Sequence, residues 1–208
     1  MESAAASNTD FHGFGNQIRG ELAARIPSGK KLKVLDVGTG FGLNVAFLAQ
    51  HLSGSSRIWT VDPSEEVLKN VKSELRAETA ARVGFVKASA DELDFEDGFF
   101  DFAVSVMVMH HIEKIRPVLR ELVRVVKKGG RLLVVDYKPK AAHVLEFQTR
   151  HEESDFFEPA TIEKQLEKQG TSDKTKDSGV WYLVEATKLK KAANLRSAPR
   201  KPSKKQTR

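Results

Sequence analysis

Hydrophobic and polar positions change their period repeatedly along the chain, and each change marks a new element. Short apolar runs at residues 34–37, 57–62, 82–87, 99–108 and 131–136 predict five buried strands. Between these runs apolar residues recur at helical spacing. They predict a helix after Gly42 and further helices over residues 65–77 and 113–127, the last closed by the cations and glycines of residues 127–130. The chain therefore alternates strands and helices.

The two ends of this alternating region carry additional elements. Residues 11–26 place apolar side chains at helical spacing ahead of the first strand, and Pro27 stops that helix. Another helix begins at Pro159. Residues 170–179 are almost wholly polar, so a strand there is short, exposed or missing, whereas residues 180–186 predict a convincing last strand.

Five repeats of strand and helix define the fold class as α/β. Right-handed crossovers between successive parallel strands produce a Rossmann-like, doubly wound, mostly parallel sheet of six or seven strands, with helices on both faces. Ligands of such sheets bind beyond the carboxyl ends of the strands, beside the first strand. We therefore expect the functional residues at the ends of the predicted strands.

Composition narrows the class of protein. A chain of 208 residues with 40% hydrophobic content predicts one domain with appendages. No apolar run approaches the roughly 20 residues that span a bilayer, and residues 1–10 lack the features of a signal or transit peptide, so we expect a soluble cytoplasmic protein. Cysteine is absent, which excludes disulfides, thiolate metal sites and a cysteine nucleophile.

The net charge of +6 hides two regions of opposite sign. From Lys188 onward there are nine Lys or Arg residues and no acid, whereas residues 1–187 hold 25 bases and 28 acids. The basic, proline-containing tail over residues 188–208 has too few apolar residues to order itself and is predicted to be disordered. It favours a weak contact with a polyanion such as RNA, or it is a solvated and dispensable appendage.

The turn after the first strand is the strongest chemical signal. It reads D-x-G-x-G-x-G from Asp36, with glycines at positions 38, 40 and 42 that let a ligand approach the backbone. A dinucleotide site has the different spacing G-x-G-x-x-G and places a pyrophosphate at the helix N-terminus. Asp36 would repel a phosphate. A ligand with a cationic group and no phosphate fits this turn better.

These four residues, Asp36, Gly38, Gly40 and Gly42, resemble the first motif of class I S-adenosylmethionine-dependent methyltransferases. The resemblance implies S-adenosylmethionine as cofactor, contacts from the turn including Thr39, and an antiparallel last strand. Asp62, followed by Pro63, ends the second strand, where an acid can accept hydrogen bonds from both ribose hydroxyls.

The stretch after the third strand, ASADELDF over residues 88–95, resembles the G-D-A-x-x-L-P-F motif of the same family. The family's adenine-binding acid falls on Ser89 and its main-chain donor on Ala90. A serine accepts more weakly than a carboxylate. Asp91 is the alternative acceptor, or it caps a short helix.

The region after residue 99 resembles the small-molecule branch of the family, the type 11 or quinone-biosynthesis-like enzymes. It contains F-D-x-x-x-S over residues 100–105, then His110 and His111, a helix, K-x-G-G and a strand. The resemblance implies that Ser105 and Val106 pass beside the cofactor and that His110 faces the site. Imidazole titrates near neutrality, so His110 is the candidate general base. The alternative is that both histidines only cap the helix or pack.

Two further segments leave alternatives open. Phe11, His12 and Phe14 either form part of a lid over the cofactor or belong to the core. Residues 137–157 are the segment that the family varies to choose its substrate. The spacings of His143, His151, Glu152 and Asp155 match no metal motif, so we expect no metal site and a helical lid with polar residues facing solvent.

The sequence thus predicts a flexible N-terminus over residues 1–10, a methyltransferase domain over 11–187 and the basic tail. With no cysteine for 5-methylpyrimidine chemistry and no [DN]-P-P-[YFW] after the fourth strand, a small-molecule acceptor is favoured. The alternatives are an RNA or protein methyltransferase that uses the tail, a non-catalytic cofactor-binding module, and a nicotinamide-dependent dehydrogenase.

Overall fold

A computed structural model of the chain describes residues 13–141 and 155–190. Its centre is a seven-stranded sheet in the order β3-β2-β1-β4-β5-β7-β6. Strands β1 to β5 run parallel, and β7 is antiparallel to both of its neighbours, β5 and β6. The strands are β1 Lys33–Val37, β2 Arg57–Asp62, β3 Val83–Lys87, β4 Phe100–Val106, β5 Val126–Tyr137, β6 Thr171–Asp177 and β7 Trp181–Lys188.

Six α-helices accompany the sheet within these two ranges. They are α1 Gly15–Arg25, α2 Leu43–His51, α3 Glu65–Glu74, α4 Ala77–Ala80, α5 Ile115–Val125 and α6 Pro159–Glu167. Single turns of 3₁₀-helix cover Met109–His111 and Pro139–Ala141. Among the residues described, no helix has the length and apolar character needed to cross a membrane.

The core lies in two layers, one on each face of the sheet. On one face, Ile18 and Leu22 of α1 and Leu48 of α2 pack against β1 and β4. On the other, α5 and α6 cover the sheet with fully buried leucine and isoleucine side chains. The doubly wound architecture predicted from the alternating pattern is confirmed.

Both tryptophans belong to these layers. Trp181 is 1% exposed on β7. Trp59 on β2 is half-buried and packs edge-on against Phe99 and Phe100, with ring centroids 5.2 and 5.5 Å away. An added Cβ on Gly84 would come within 2.7 Å of the Trp59 ring, so glycine at that position makes room for the indole.

Two predicted helices end earlier than the apolar periodicity indicates. The helix predicted over residues 65–77 is broken, because Leu75 is extended and a separate short helix begins at Ala77. The helix predicted over 113–127 spans Ile115–Val125 only, and Val126 is extended and pairs with Phe100.

The cations and glycines of residues 127–130 therefore lie at the start of β5 and do not cap α5. An added Cβ on Gly130 would lie 2.8 Å from the carbonyl oxygen of Asp101, so the close approach of β4 requires glycine there.

The polar stretch over residues 170–179 forms β6, an edge strand whose side chains are mostly exposed. Of the three alternatives for this stretch, an exposed strand is the observed one. Strand β7 continues to Lys188, and the main-chain N–H of Leu189 still donates to Gly170 over 3.0 Å. Phe14 packs against the core, whereas Phe11 and His12 lie outside the described residues.

Candidate functional site

A cavity of about 820 Å³ opens at the carboxyl ends of the parallel strands. Its wall is formed by the turn after β1 and by the segments that follow β2, β3, β4 and β5. The sequence-predicted residues that line it are Gly38, Thr39, Gly40, Asp62, Pro63, Ser89, Ala90, Val106 and His110.

The three glycines of the turn have different roles. Gly38 and Gly42 have positive φ, and an added Cβ would lie 2.4 Å from Val108 in the first case and 2.5 Å from Val71 in the second. Gly40 also has positive φ, at 49°, but an added Cβ would meet no atom within 4 Å. Gly38 and Gly42 are thus required by packing, and Gly40 leaves backbone open to the cavity.

A chain of hydroxyl groups ties the turn to the strands beneath it. The hydroxyl of Thr60 on β2 donates to Asp36 Oδ2 over 2.8 Å, so the Thr39 hydroxyl, 2.7 Å away, donates to Thr60. Asp36 is fully buried, and its Oδ1 has no hydrogen-bond partner among the described residues. Burial, with a smaller contribution from the charge of Asp62 and against the lowering effect of the Thr60 hydrogen bond, raises the pKa of Asp36 to about 7.

Asp62 stands at the end of β2 beside the turn. Its Oδ1 accepts from the main-chain N–H of Ser64 over 2.9 Å, and its Oδ2 accepts a longer bond of 3.4 Å from the main-chain N–H of Gly40. The carboxylate is partly exposed and lines the cavity. It is held in one orientation with acceptor capacity left for hydroxyl groups of a ligand.

The segment after β3 forms the next part of the wall. The Ser89 hydroxyl donates to the Asp91 carboxylate, and both residues line the cavity together with Ala90. The two alternative acceptors from the sequence therefore form one hydrogen-bonded pair at the rim.

Helix α5 holds that segment in place from behind. Arg124 donates to the carbonyl oxygens of Leu93 and Phe95 over 2.7 Å each, and it pairs with Glu121 and Asp97. Glu121 is fully buried and also accepts from the main-chain N–H of Leu93. The ion pair on α5 thus anchors the loop that continues from Ser89.

His110 lies at the opposite end of the cavity from Asp62. Its Nδ1 is 2.6 Å from Asp136 Oδ1 at the end of β5, and its ring stacks on Phe156 with centroids 5.1 Å apart. Hydrophobic side chains of Met107, Ile112 and Val118 line the same end. Met107 has φ 56° and is the only non-glycine residue with positive φ in the described ranges.

Three sequence-predicted site residues do not form the wall. Asp36 lies beneath the turn, Gly42 accommodates Val71, and the Ser105 hydroxyl is buried within β4 with no partner among the described atoms. Asp155 is half-buried, whereas His143, His151 and Glu152 lie outside the described residues. Within those residues no group of three or more His, Asp or Glu side chains could hold a metal ion.

Sequence reasoning missed Asp136 and Phe156. Asp136 ends a strand in the same way as Asp36 and Asp62, so its position at the carboxyl edge was available as a signal. Phe156 follows residues 142–154 of the variable segment, and no local pattern associates it with His110.

The fold and the glycine turn define a class of protein, and the comparisons with known proteins agree. Residues 35–134 match the family model described as a methyltransferase domain. The chain contains a class I S-adenosylmethionine-dependent methyltransferase domain. The methyl donor of this family is S-adenosylmethionine.

Individual relatives place the chain within that class. The ubiquinone/menaquinone biosynthesis C-methyltransferase UbiE of Rhizobium johnstonii is 39% identical over 108 residues, which are 50% of this chain and 41% of that protein. The chain spans less than half the length of the curated relatives that it matches, 45% in the case of UbiE of Idiomarina loihiensis.

Solved structures share the fold at low sequence identity. A methyltransferase of Aquifex aeolicus aligns with a TM-score of 0.69 at 20% identity, over 81% of this chain and 88% of that one. The [4+2]-cyclase SpnF aligns with the same TM-score of 0.69 at 16% identity, over 84% of this chain and 81% of that one. The fold is therefore found in an enzyme named for a different reaction.

The cavity fits a cationic nucleoside donor better than a dinucleotide. The Gly40 main-chain N–H, which a pyrophosphate would need, is directed at the Asp62 carboxylate. Asn44 on the first turn of α2 is 6% exposed, lines the cavity, and its Oδ1 has no partner within the described part of the chain.

Proposed function

We propose that the protein transfers a methyl group from S-adenosylmethionine to a small-molecule acceptor. The observation that carries this proposal is the continuity of the cavity, which runs from Gly40 and Asp62 at one end to His110 at the other. A donor held by the first pair and an acceptor beside His110 would meet within one continuous cavity. UbiE, a relative over half of the chain, is named a ubiquinone/menaquinone biosynthesis C-methyltransferase, and this name supports a small-molecule acceptor.

The residues of the wall divide the binding of the donor among them. Asp62 accepts from the ribose hydroxyls, Ser89 and Asp91 accept from the adenine amine, and the main chain of Gly38 and Gly40 approaches the ligand closely. When bound, the donor supplies an activated methyl group on a sulfonium, so the protein mainly contributes alignment and exclusion of water. The apolar side chains at the His110 end exclude water from the acceptor.

Calorimetry with S-adenosylhomocysteine tests the donor half of the proposal. We expect saturable binding by the intact protein and no competing binding of NADH. Absence of S-adenosylhomocysteine binding would contradict the methyltransferase proposal, and tight NADH binding would favour a dehydrogenase.

Transfer of label tests the acceptor half. The protein is incubated with methyl-labelled S-adenosylmethionine and with lipid, small-molecule, RNA and protein fractions of an extract. We expect label in the small-molecule or lipid fraction. Label confined to RNA or protein would overturn the acceptor class.

A second candidate function is a reaction or binding role without methyl transfer. It is favoured by one finding, the equal similarity of the fold to a cyclase. Binding of S-adenosylhomocysteine together with no label in any fraction would support this role.

A further inference from the structure

The His110 end of the cavity contains a carboxylate that is fixed by three donors. Asp136 Oδ1 accepts from the Tyr137 main-chain N–H over 2.7 Å and lies 2.6 Å from His110 Nδ1. Its Oδ2 accepts from the His110 main-chain N–H over 3.2 Å. The side chains of Asp136 and His110 are 2% and 7% exposed, so the pair is nearly enclosed by protein.

This geometry determines which ring nitrogen carries the proton. An ionised carboxylate can only accept, so His110 Nδ1 donates its N–H to Asp136 and the lone pair of the neutral ring is on Nε2. The two nitrogens lie on opposite sides of the imidazole, and stacking on Phe156 at 27° fixes the plane of the ring. Nε2 therefore faces away from Asp136 while the ring lines the cavity.

Aromatic side chains and a second histidine surround the pair of Asp136 and His110. Tyr182 pairs with Asp136 across β5 and β7, and the charge of Asp136 adds to burial in raising the pKa of the Tyr182 hydroxyl, which therefore stays neutral. The ring centroid of His111 lies 4.1 Å from that of His110, and the rings of Tyr137 and Phe156 lie 6.2 and 5.1 Å away.

We propose that Asp136 is a positioning residue that holds His110 with its lone pair on Nε2, so that Nε2 takes the proton of the methyl acceptor. The proposal rests on the proposed function. In the step, the acceptor O–H proton passes to His110 Nε2, its oxygen forms the new C–O bond, and the methyl–sulfur bond breaks to leave a neutral thioether. The imidazolium formed is stabilised by Asp136 and later releases its proton to water.

A general base at His110 favours one class of methyl acceptor over others. A neutral amine or a carbon nucleophile that is already electron-rich gains less from losing a proton before attack, whereas a hydroxyl group gains nucleophilicity. Apolar side chains of Ile112, Val118 and Phe156 line the cavity there, and His111, Glu113 and Lys114 line it as well. The base and the apolar residues together favour an acceptor with a hydroxyl group on a largely apolar body.

The tautomer of His110 tests the proposal without any acceptor. Long-range ¹H–¹⁵N spectra of the full chain resolve the imidazole nitrogens, and the His110→Gln variant assigns the signal among the six histidines. We expect wild-type His110 to carry its proton on Nδ1, and Asp136→Asn to shift it to a mixture or to Nε2. A wild-type ring protonated on Nε2 would overturn the proposal, and so would an unchanged spectrum in Asp136→Asn.

A transfer assay provides the second arm. Asp136→Asn is expected to lower label transfer at saturating donor by about 10-fold or more, within the usual contribution of general acid–base catalysis, while S-adenosylhomocysteine affinity stays within about twofold. The matched control is Asp101→Asn, which removes a carboxylate near the N-terminal end of β4, away from the cavity. This variant should retain transfer. Equal loss of transfer and of S-adenosylhomocysteine binding in Asp136→Asn would indicate a merely structural role.

The two proposals fail in different ways. If the wild-type protein transfers no label to any fraction, the proposed function fails, yet the Nδ1–H tautomer and its dependence on Asp136 still stand as measured. If label is transferred but His110 is protonated on Nε2, the methyltransferase stands and the positioning role of Asp136 is wrong.

Discussion

Asp36 combines complete burial with a carboxylate oxygen that no described residue satisfies. Its folded-state pKa of about 7 lies above the ordinary value of 3.8, so the folded protein retains a proton that the unfolded chain releases. The contribution of Asp36 to stability is therefore fully present below about pH 4 and is lost as the pH rises toward 7. The sequence indicated this acid as a ligand contact, but only the structure reveals that it lies under the turn.

Replacement of Asp36 by asparagine should remove this pH dependence. Between pH 5.5 and 8 the free energy of unfolding of the ligand-free wild type should fall by about 2 kcal/mol more than that of Asp36→Asn, since each pKa unit corresponds to about 1.4 kcal/mol. Urea denaturation at the two pH values measures the difference. Parallel behaviour of the two proteins would mean that Asp36 is ionised without penalty.

Asp62 should carry much of the affinity for the donor. Asp62→Ala is expected to weaken S-adenosylhomocysteine binding by about 1 kcal/mol or more, because hydrogen bonds to a charged acceptor contribute about 1.5–3 kcal/mol. Glu66→Ala, an exposed acid on α3, is the matched control and should bind as the wild type does. If calorimetry gives Asp62→Ala and Glu66→Ala the same affinity, Asp62 does not contribute to donor binding.

At the scale of elements, the ion pair on α5 supports the wall that contains Ser89. Arg124→Met leaves Glu121 charged and buried, and such a loss typically lowers the free energy of unfolding by about 3–5 kcal/mol. The affinity for S-adenosylhomocysteine should fall as well, because the loop carbonyls of Leu93 and Phe95 lose their donor.

Arg120→Met on the exposed side of the same helix is the control for this experiment. Thermal denaturation and calorimetry of both variants separate the support of the loop from a general effect on α5. A variant at Arg124 that is as stable as the Arg120 variant would show that the pair does not anchor the loop.

Elements that depend on local composition were predictable, and those that depend on long-range pairing were not. The limits of β2 follow directly from its apolar run and Pro63. The exposure of β6 follows from its charged residues, although the sequence left open whether a strand forms there. The early end of α5 does not, because Val126 has helical neighbours in sequence and leaves the helix to pair with Phe100. Likewise, Gly38 and Gly42 are indistinguishable from Gly40 until Val108 and Val71 are placed beside them.

At the scale of the whole molecule, the cavity lies at the carboxyl ends of the parallel strands, and the last described residues lie near the amino ends of those strands. Strand β7 is antiparallel to β5, and Lys188 at its end donates to the main-chain oxygens of Arg124 and Val126 at the far edge from His110. Lys127 and Lys128 are exposed at the same edge. We therefore expect the basic tail, whose residues 191–208 lie outside the described ranges, to act independently of donor binding.

Deletion of residues 192–208 should leave the melting temperature and the S-adenosylhomocysteine affinity unchanged. It should also abolish any retention on immobilised RNA, since such binding arises from counterion release and falls steeply with salt. Filter binding at low and moderate salt compares the two forms. If the full chain is not retained even at low salt, the tail does not bind a polyanion. If deletion weakens the binding of S-adenosylhomocysteine, the tail contributes to the cavity after all.

The placement of the two tryptophans has an optical consequence. Trp59 and Trp181 pack within the sheet layers, and neither lines the cavity. Their fluorescence should therefore move to longer wavelength when the sheet unfolds and stay nearly constant when S-adenosylhomocysteine binds to the folded protein. Intrinsic emission is thus a selective reporter of unfolding, and a spectral change on titration would show that ligand binding rearranges the core itself.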